Sequence, residues 1–415
     1  MRVLIPLAVA VFMSSAQPNQ PAQIAFQAAQ DDIDALWQHI ADNYAYFDRK
    51  SSVWSSVPAL YDAERQRVRT LADLVALLER MVEELYDHHA HLTTNTPESR
   101  RLVPSGADIW AIWLNGRATV AEVRADSDAQ RADIRAGDDI SSIGGIPIDR
   151  AVAAQLPRSP SPDDAVRSWA LRVLLAGRRN EPRVIGLTRD RESRTVELPA
   201  REQSYSRSGL LEFRVLPANG GYIRVHDSLG NENLIEAFDN ALEKLRNTSA
   251  TIVDLRDTPS GGNTTVARAI LGRFVRRELP YQKHLLPSEA RQTGVVRSWL
   301  ELVTPRGPFQ YQRPVAVLVN HWAGSMGEGL AVGFDATGSG IVVGTPMAGL
   351  LGATYRFELP HSRIGVNVPA ERLFHVNGTP REQFVPPVRV DPAVRASDDP
   401  WIAAAQDALA RAKRP

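Results

Sequence analysis

Two periodicities alternate along this chain and divide it into regions. Apolar residues at Leu71, Leu74, Val75, Leu78, Val82 and Leu85 recur with the spacing of one buried helical stripe. They predict a helical region over about 31–102, preceded by a Gln/Pro-rich linker at 17–30. From 103 to 200 the pattern shortens to strands and turns. VAEVRADSDAQRADIRAGDDISSIGGIPI reads as strand, short helix, turn and strand, with Gly144-Gly145 as a tight reversal. A helix over Ala165 to Ala176 and a hairpin in RVIGLTRDRESRTVELP complete this β-rich segment. Over 201–415 strands and helices take turns: GGYIRV, Leu234 to Leu245, TIVDLRD, Thr264 to Val275, then a strand at Val315 to Val319. That order implies β-α-β crossovers, an α/β domain with a mainly parallel sheet, and a ligand site at the carboxyl ends of its strands.

Two of those strand ends carry glycine-rich loops, DLRDTPSGGN and NHWAGSMG. In the second, a buried strand turns at Gly324 and Gly327 into a helix, and Ser325 sits at the hinge, where a helix N-terminus favours developing negative charge. This suits a nucleophile. Equally, Ser325 with Glu328 three residues later forms a helix-capping box, and Ala323 departs from the G-x-S-x-G elbow. The loop alone leaves both readings open.

The 48 basic and 48 acidic side chains cancel, so the chain lacks the electrostatic footprint expected of a nucleic-acid or anionic-membrane partner. With no cysteine, thiol nucleophiles, disulfides and thiolate metal sites are ruled out. Residues 1–16 carry Arg2, an apolar run too short to span a bilayer, and Ser14-Ser15-Ala16; they read as a signal peptide, with a retained anchor as the alternative. The expected location is therefore periplasmic or secreted, with no membrane span in the mature chain.

LYDHHAHLTT concentrates His88, His89 and His91 in four positions. They fit a solvated helix end, a metal site lacking H-E-x-x-H spacing, or a general base serving a distant serine.

DLRDTPSGGN, VLVNHWAGSMGEGLAVGF, IVVGTPMAGLLGATYRFELP and NGTPREQFVPPVRVDP, in that order, resemble the C-terminal-processing (tail-specific) serine peptidases. The segment from Ala136 to Ile148 resembles a PDZ domain. The resemblance implies a ClpP/crotonase-like catalytic domain at 201–415, a PDZ-like insert at 103–200 that docks an extended peptide, and a peptide or protein substrate. It implies no organic cofactor and no metal, and it is compatible with a homo-oligomer. Leu350 stands where the serine–lysine branch of that family carries its lysine. The tricorn-type branch uses an L-x-D-x-H-x-x-L element, matched here by Leu85, Asp87, His89 and Leu92, and a late glutamate, matched by Glu382.

On that resemblance Ser325 is the nucleophile, His89 its base and Glu382 the group that orients the base. The N–H groups of Met326 and Gly261 form the oxyanion hole. His88 replaces the serine that precedes the histidine in that branch and is a candidate relay; His321, four residues before Ser325, is a rival base. Two readings from other classes stand beside this one: a catalytically inactive protein of the same fold that binds peptides or apolar ligands, and a metallohydrolase built on the histidine cluster.

Overall fold

A computed structural model describes residues 22–200, 208–394 and 399–412; residues 1–16, read above as a signal peptide, lie outside the described residues. The site is carried by a six-stranded sheet. Its order is Val388–Arg389, Ile341–Gly344, Val315–Val319, Ala250–Asp254, Gly220–Val225, Leu211–Leu216, parallel throughout except for the last pair, which form a hairpin.

The strand Val315–Val319 is buried at every position because both faces of the sheet are covered. Val315, Val317 and Val319 point into a core shared with the helices Asn233–Lys244, Thr264–Leu271 and Met326–Ala336. Ala316 and Leu318 face the opposite way, toward Ala405 and Leu409 of the helix Pro400–Ala412. Covering both faces keeps water from the strand, and the two glycine-rich loops emerge at the carboxyl ends of the sheet.

The β-rich insert is an antiparallel sheet in the order Ile109–Leu114, Arg117–Val123, Asp139–Ile143, Arg183–Arg189, Glu192–Leu198, with its own core around Trp113, Val120, Trp169 and Leu187. The helix Asp164–Ala176, capped by Asp163, packs along the edge strand Ile109–Leu114. There the Ser168 hydroxyl accepts from Trp113 N–H (2.9 Å) and donates to Trp113 O (3.3 Å). The backbone groups that an added peptide strand would use at Trp113 are therefore already occupied.

The N-terminal helices share their core with residues from the far end of the chain. The first begins at Phe26, within the segment read above as linker, and runs to Asn43; a later one, Leu71–Glu83, opens on a Thr70–Asp73 capping box. Their apolar stripes pack on Leu359, Ile364, Val366 and Val368 from the far end of the chain. The strand Gly365–Phe374 belongs to a second sheet, in which it pairs with His91–Leu92, Leu279–Leu286 and Ala353–Glu358. This long-range pairing fixes the turn that carries His88 and His89. Among the described residues no helix is long and apolar enough to cross a membrane.

Candidate active site

Ser325 occupies the point where the strand Val315–Val319 turns into the helix Met326–Ala336, and its backbone is strained: φ is 52° and ψ is −111°. A non-glycine residue persists in that region only when its surroundings over-determine it. Here they do. Gly324 N–H donates to Thr258 O (3.2 Å), Ala323 bridges Thr258 in parallel register, and Ser325 N–H donates to Glu328 Oε2 (2.8 Å). The capping box expected from the sequence thus forms at its Glu328 arm, and it holds the serine in this strained turn.

The other glycine-rich loop reaches the same point. Gly261, at φ +69°, lies so close that a β-carbon on it would stand 2.4 Å from Ser325 Cβ, 2.9 Å from Ser325 Oγ and 2.8 Å from Met326 N. Ser260 anchors this loop on Asp227 through both its N–H (2.9 Å) and its hydroxyl (2.6 Å). Ser325, Gly261 and Met326 are therefore brought together. Gly261 N–H itself closes a turn on Thr258 O (3.2 Å), whereas neither Gly262 N–H nor Met326 N–H donates to another described residue.

Glu328 ties the serine turn to the histidine. Fully buried, its carboxylate accepts from Ser325 N–H, Gly349 N–H (2.9 Å) and Leu350 N–H (3.3 Å), and Arg381 Nη2 lies 3.8 Å away. Burial raises its pKa to about 7, with Arg381 and the three amides opposing the rise. Arg381 in turn donates to Leu350 O (2.9 Å) and Gly352 O (2.8 Å). The next carbonyl in this loop, Leu351 O, accepts from His89 Nδ1 at 2.7 Å. The sequence marked Glu328 only as a cap and gave Arg381 no role; their reach into the 349–352 loop has no local signature.

A carbonyl can only accept, so His89 carries its proton on Nδ1 and presents Nε2 as the basic nitrogen. Its backbone is held by Asp87, which takes His89 N–H (2.9 Å) and the Tyr44 hydroxyl (2.8 Å). Burial lowers the pKa of the ring to about 3, with the bond to Leu351 opposing and the charge of Arg381 adding to the effect. At neutral pH the imidazole is neutral.

The remaining candidates go elsewhere. Glu382 Oε1 accepts from Arg49 Nη1 (2.8 Å), and its buried Oε2 has no partner among the described residues. No hydrogen bond joins it to His89. His88 Nε2 accepts from Arg172 Nε (3.1 Å) and its ring stacks on Trp169, so no bond places it between Glu382 and His89. His91 bonds His89 O (3.1 Å) and Asn367 (3.0 Å). The three rings of the cluster thus diverge toward three sets of partners. Leu350 packs its side chain on the serine turn, where its Cδ1 would stand 3.2 Å from a β-carbon at 324. His321 has a carboxylate partner, with Nδ1 2.6 Å from Glu122 Oε2, which also accepts from Thr345 Oγ1 (2.8 Å).

The insert is fastened to this site by buried polar contacts. Arg124 pairs with Asp257 at 2.8 Å, next to Thr258, and Trp322 Nε1–H donates to Ala107 O at 2.8 Å.

Residues 219–392, which contain Ser325, Gly261, Met326 and Glu382, match the family model of peptidase family S41. No curated protein matches the sequence. Solved structures share the fold over nearly the whole chain. The photosystem II D1 C-terminal processing protease superposes with a TM-score of 0.57 at 16% identity, over 92% of this chain and 97% of that one. Mature CPAF gives 0.60 at 15% identity, over 93% and 97%. A putative peptidase from Parabacteroides merdae gives 0.50 at 16% identity, over 92% and 96%.

Proposed function

We propose, from a chain whose residues 219–392 belong to peptidase family S41 and which is a serine-type peptidase, that it is an exported endopeptidase with Ser325 as nucleophile and His89 as general base. The observation that carries this reading is the strained Ser325 turn, which faces Gly261 on one side and begins a helix at Met326 on the other. A serine hydroxyl is a weak nucleophile until a neutral imidazole takes its proton. His89 is neutral, has Nε2 as its basic nitrogen, and is tied through Leu351 and Glu328 to the serine turn.

In the acylation step Ser325 Oγ bonds to the peptide carbonyl carbon while His89 Nε2 takes the hydroxyl proton. The same proton then passes to the leaving amine, and water repeats the sequence to release the acid. The oxyanion is held by Met326 N–H and by an amide of the Gly261–Gly262 turn. Gly261 N–H is shared with Thr258 O, and Gly262 N–H has no backbone partner among the described residues. Glu382 is held by Arg49 and makes no direct contact with the base. Leu350 leaves no lysine to serve as base. Export rests on the sequence of residues 1–16.

A second reading of the base is favoured by one observation, the 2.6 Å bond between His321 Nδ1 and the Glu122 carboxylate. A carboxylate in that position stabilises an imidazolium better than a carbonyl does. A fluorophosphonate probe tests the nucleophile: it should modify the wild-type chain and not Ser325→Ala, and a folded wild-type chain that stays unlabelled refutes the peptidase site. Comparing His89→Ala with His321→Ala separates the two bases.

A further inference from the structure

Two half-buried cations beside the His88–His89 turn touch no carboxylate among the described residues. Arg172, on the insert helix Asp164–Ala176, donates from Nε to His88 Nε2 (3.1 Å) and lays its guanidinium over Trp110, with Cζ 4.7 Å from the ring centroid. Lys50 Nζ donates to Tyr86 O (3.2 Å) and stands 4.0 Å above the Tyr86 ring centroid. Neither forms a salt bridge among the described residues. Other buried arginines do: Arg124 with Asp257, Arg183 with Asp108, and Arg256 with Asp254 and Asp399.

The acids around these two cations each take a hydrogen bond from another group. Asp87 accepts from Tyr44 and His89, Glu382 from Arg49, and Asp163 caps its helix through Val166 N–H. Burial with nothing opposing it draws the Arg172 pKa down to about 10, which leaves the group charged at neutral pH. At Lys50 the charges of Asp87, Asp163 and Glu382 oppose the effect of burial, so Arg172 is the cation withdrawn from water without a counter-charge, which costs free energy that an arriving anion returns. The position is apt. On one side Arg172 touches His88, next to the base; on the other, Trp110 stacks on His321 of the nucleophile loop with ring centroids 4.8 Å apart.

We propose that Lys50 and Arg172 form an anionic subsite of the peptidase that takes a carboxylate of the substrate, supplied by its C-terminus or by an Asp or Glu side chain near the scissile bond. This rests on the reading of Ser325 and His89 as the catalytic pair. It also answers the closure of the edge strand at Trp113 by Ser168: with added-strand pairing blocked there, a charged side-chain contact takes over part of substrate recognition.

The test uses the full chain carrying Ser325→Ala, immobilised and exposed to a random heptapeptide library made as the free acid and as the C-terminal amide, with retained peptides read by mass spectrometry. Recognition of a C-terminus predicts at least tenfold greater retention from the acid library. Recognition of a side chain predicts enrichment of Asp and Glu at one position in both libraries. Adding Arg172→Gln or Lys50→Gln should cut the preference at least fivefold, and Arg172→Lys should keep part of it. Thermal melts identify any variant that fails to fold, and the other glutamine variant then carries the test. Equal retention of acidic and neutral peptides, no retention of any peptide, or a preference that survives both glutamine substitutions overturns the subsite. Fluorophosphonate labelling of wild-type Ser325 reports separately on the catalytic reading, so the two failures are distinguishable.

Discussion

Gly261 and Ser325 are packed so closely that the glycine has no room for a side chain: an added β-carbon would sit 2.4 Å from Ser325 Cβ. Gly261 also holds φ at +69°, which a residue with a β-carbon adopts only under strain. Gly261→Ala should therefore push the glycine loop away from the serine. The expected outcome is a fall in kcat of at least about tenfold and a stability loss of about 1–3 kcal/mol. Steady-state hydrolysis and a thermal melt check both; unchanged kcat would remove this loop from the oxyanion site.

Glu328 predicts opposite pH trends for stability and activity. Its pKa is about 7 in the folded chain against an ordinary value of 4.5, so the folded state holds the proton over a range where the unfolded state has lost it. The group's contribution to stability is fully present below about pH 4.5 and is lost as pH rises through about 7. Relative to Glu328→Gln, the wild type should lose up to about 3 kcal/mol across that window, read by denaturant melts at several pH values. Activity should move the other way. The ionised carboxylate binds Ser325, Gly349 and Leu350 N–H groups best, so kcat should rise toward pH 7 and above. A flat stability difference would contradict the buried-acid account.

Much of the catalytic sheet was legible in the sequence because its signals are local. The run Val315–Val319 has the length and β-branching of a strand covered on both sides, and the helix Leu71–Glu83 carries its own stripe and its own Thr70 cap. What the sequence could not show depends on pairings between distant segments. Nothing near Asp31 indicates that the N-terminal helices share a core with Val366 and Val368. Nothing near Glu382 points to Arg49, and nothing in the histidine cluster says that His88 turns to Arg172 while His89 turns to Leu351. Ser325 was visible as a turn residue, but its strain and the three-amide grip of Glu328 follow only from the folded loops.

Arg124 and Asp257 fasten the insert to the loop that leads to Gly261, and both are almost completely buried. Removing Arg124 takes from Asp257 its close ion pair and leaves the looser one with Arg224 at 3.9 Å. Arg124→Ala should cost about 3–5 kcal/mol, whereas the double substitution Arg124→Met with Asp257→Leu should cost less than either single change. Denaturant melts of the four chains form the cycle that checks this. Additive losses would show that the two groups do not act as a pair.

The proposed transfer of the Ser325 proton to His89 is read by the rate of fluorophosphonate labelling at Ser325, because the probe needs an activated hydroxyl but no knowledge of the natural substrate. His89→Ala should slow labelling by at least about a hundredfold, with His321→Ala affected far less and both chains folded. Labelling at the wild-type rate in His89→Ala, with its loss in His321→Ala, would contradict the claim and move the base to the His321–Glu122 pair.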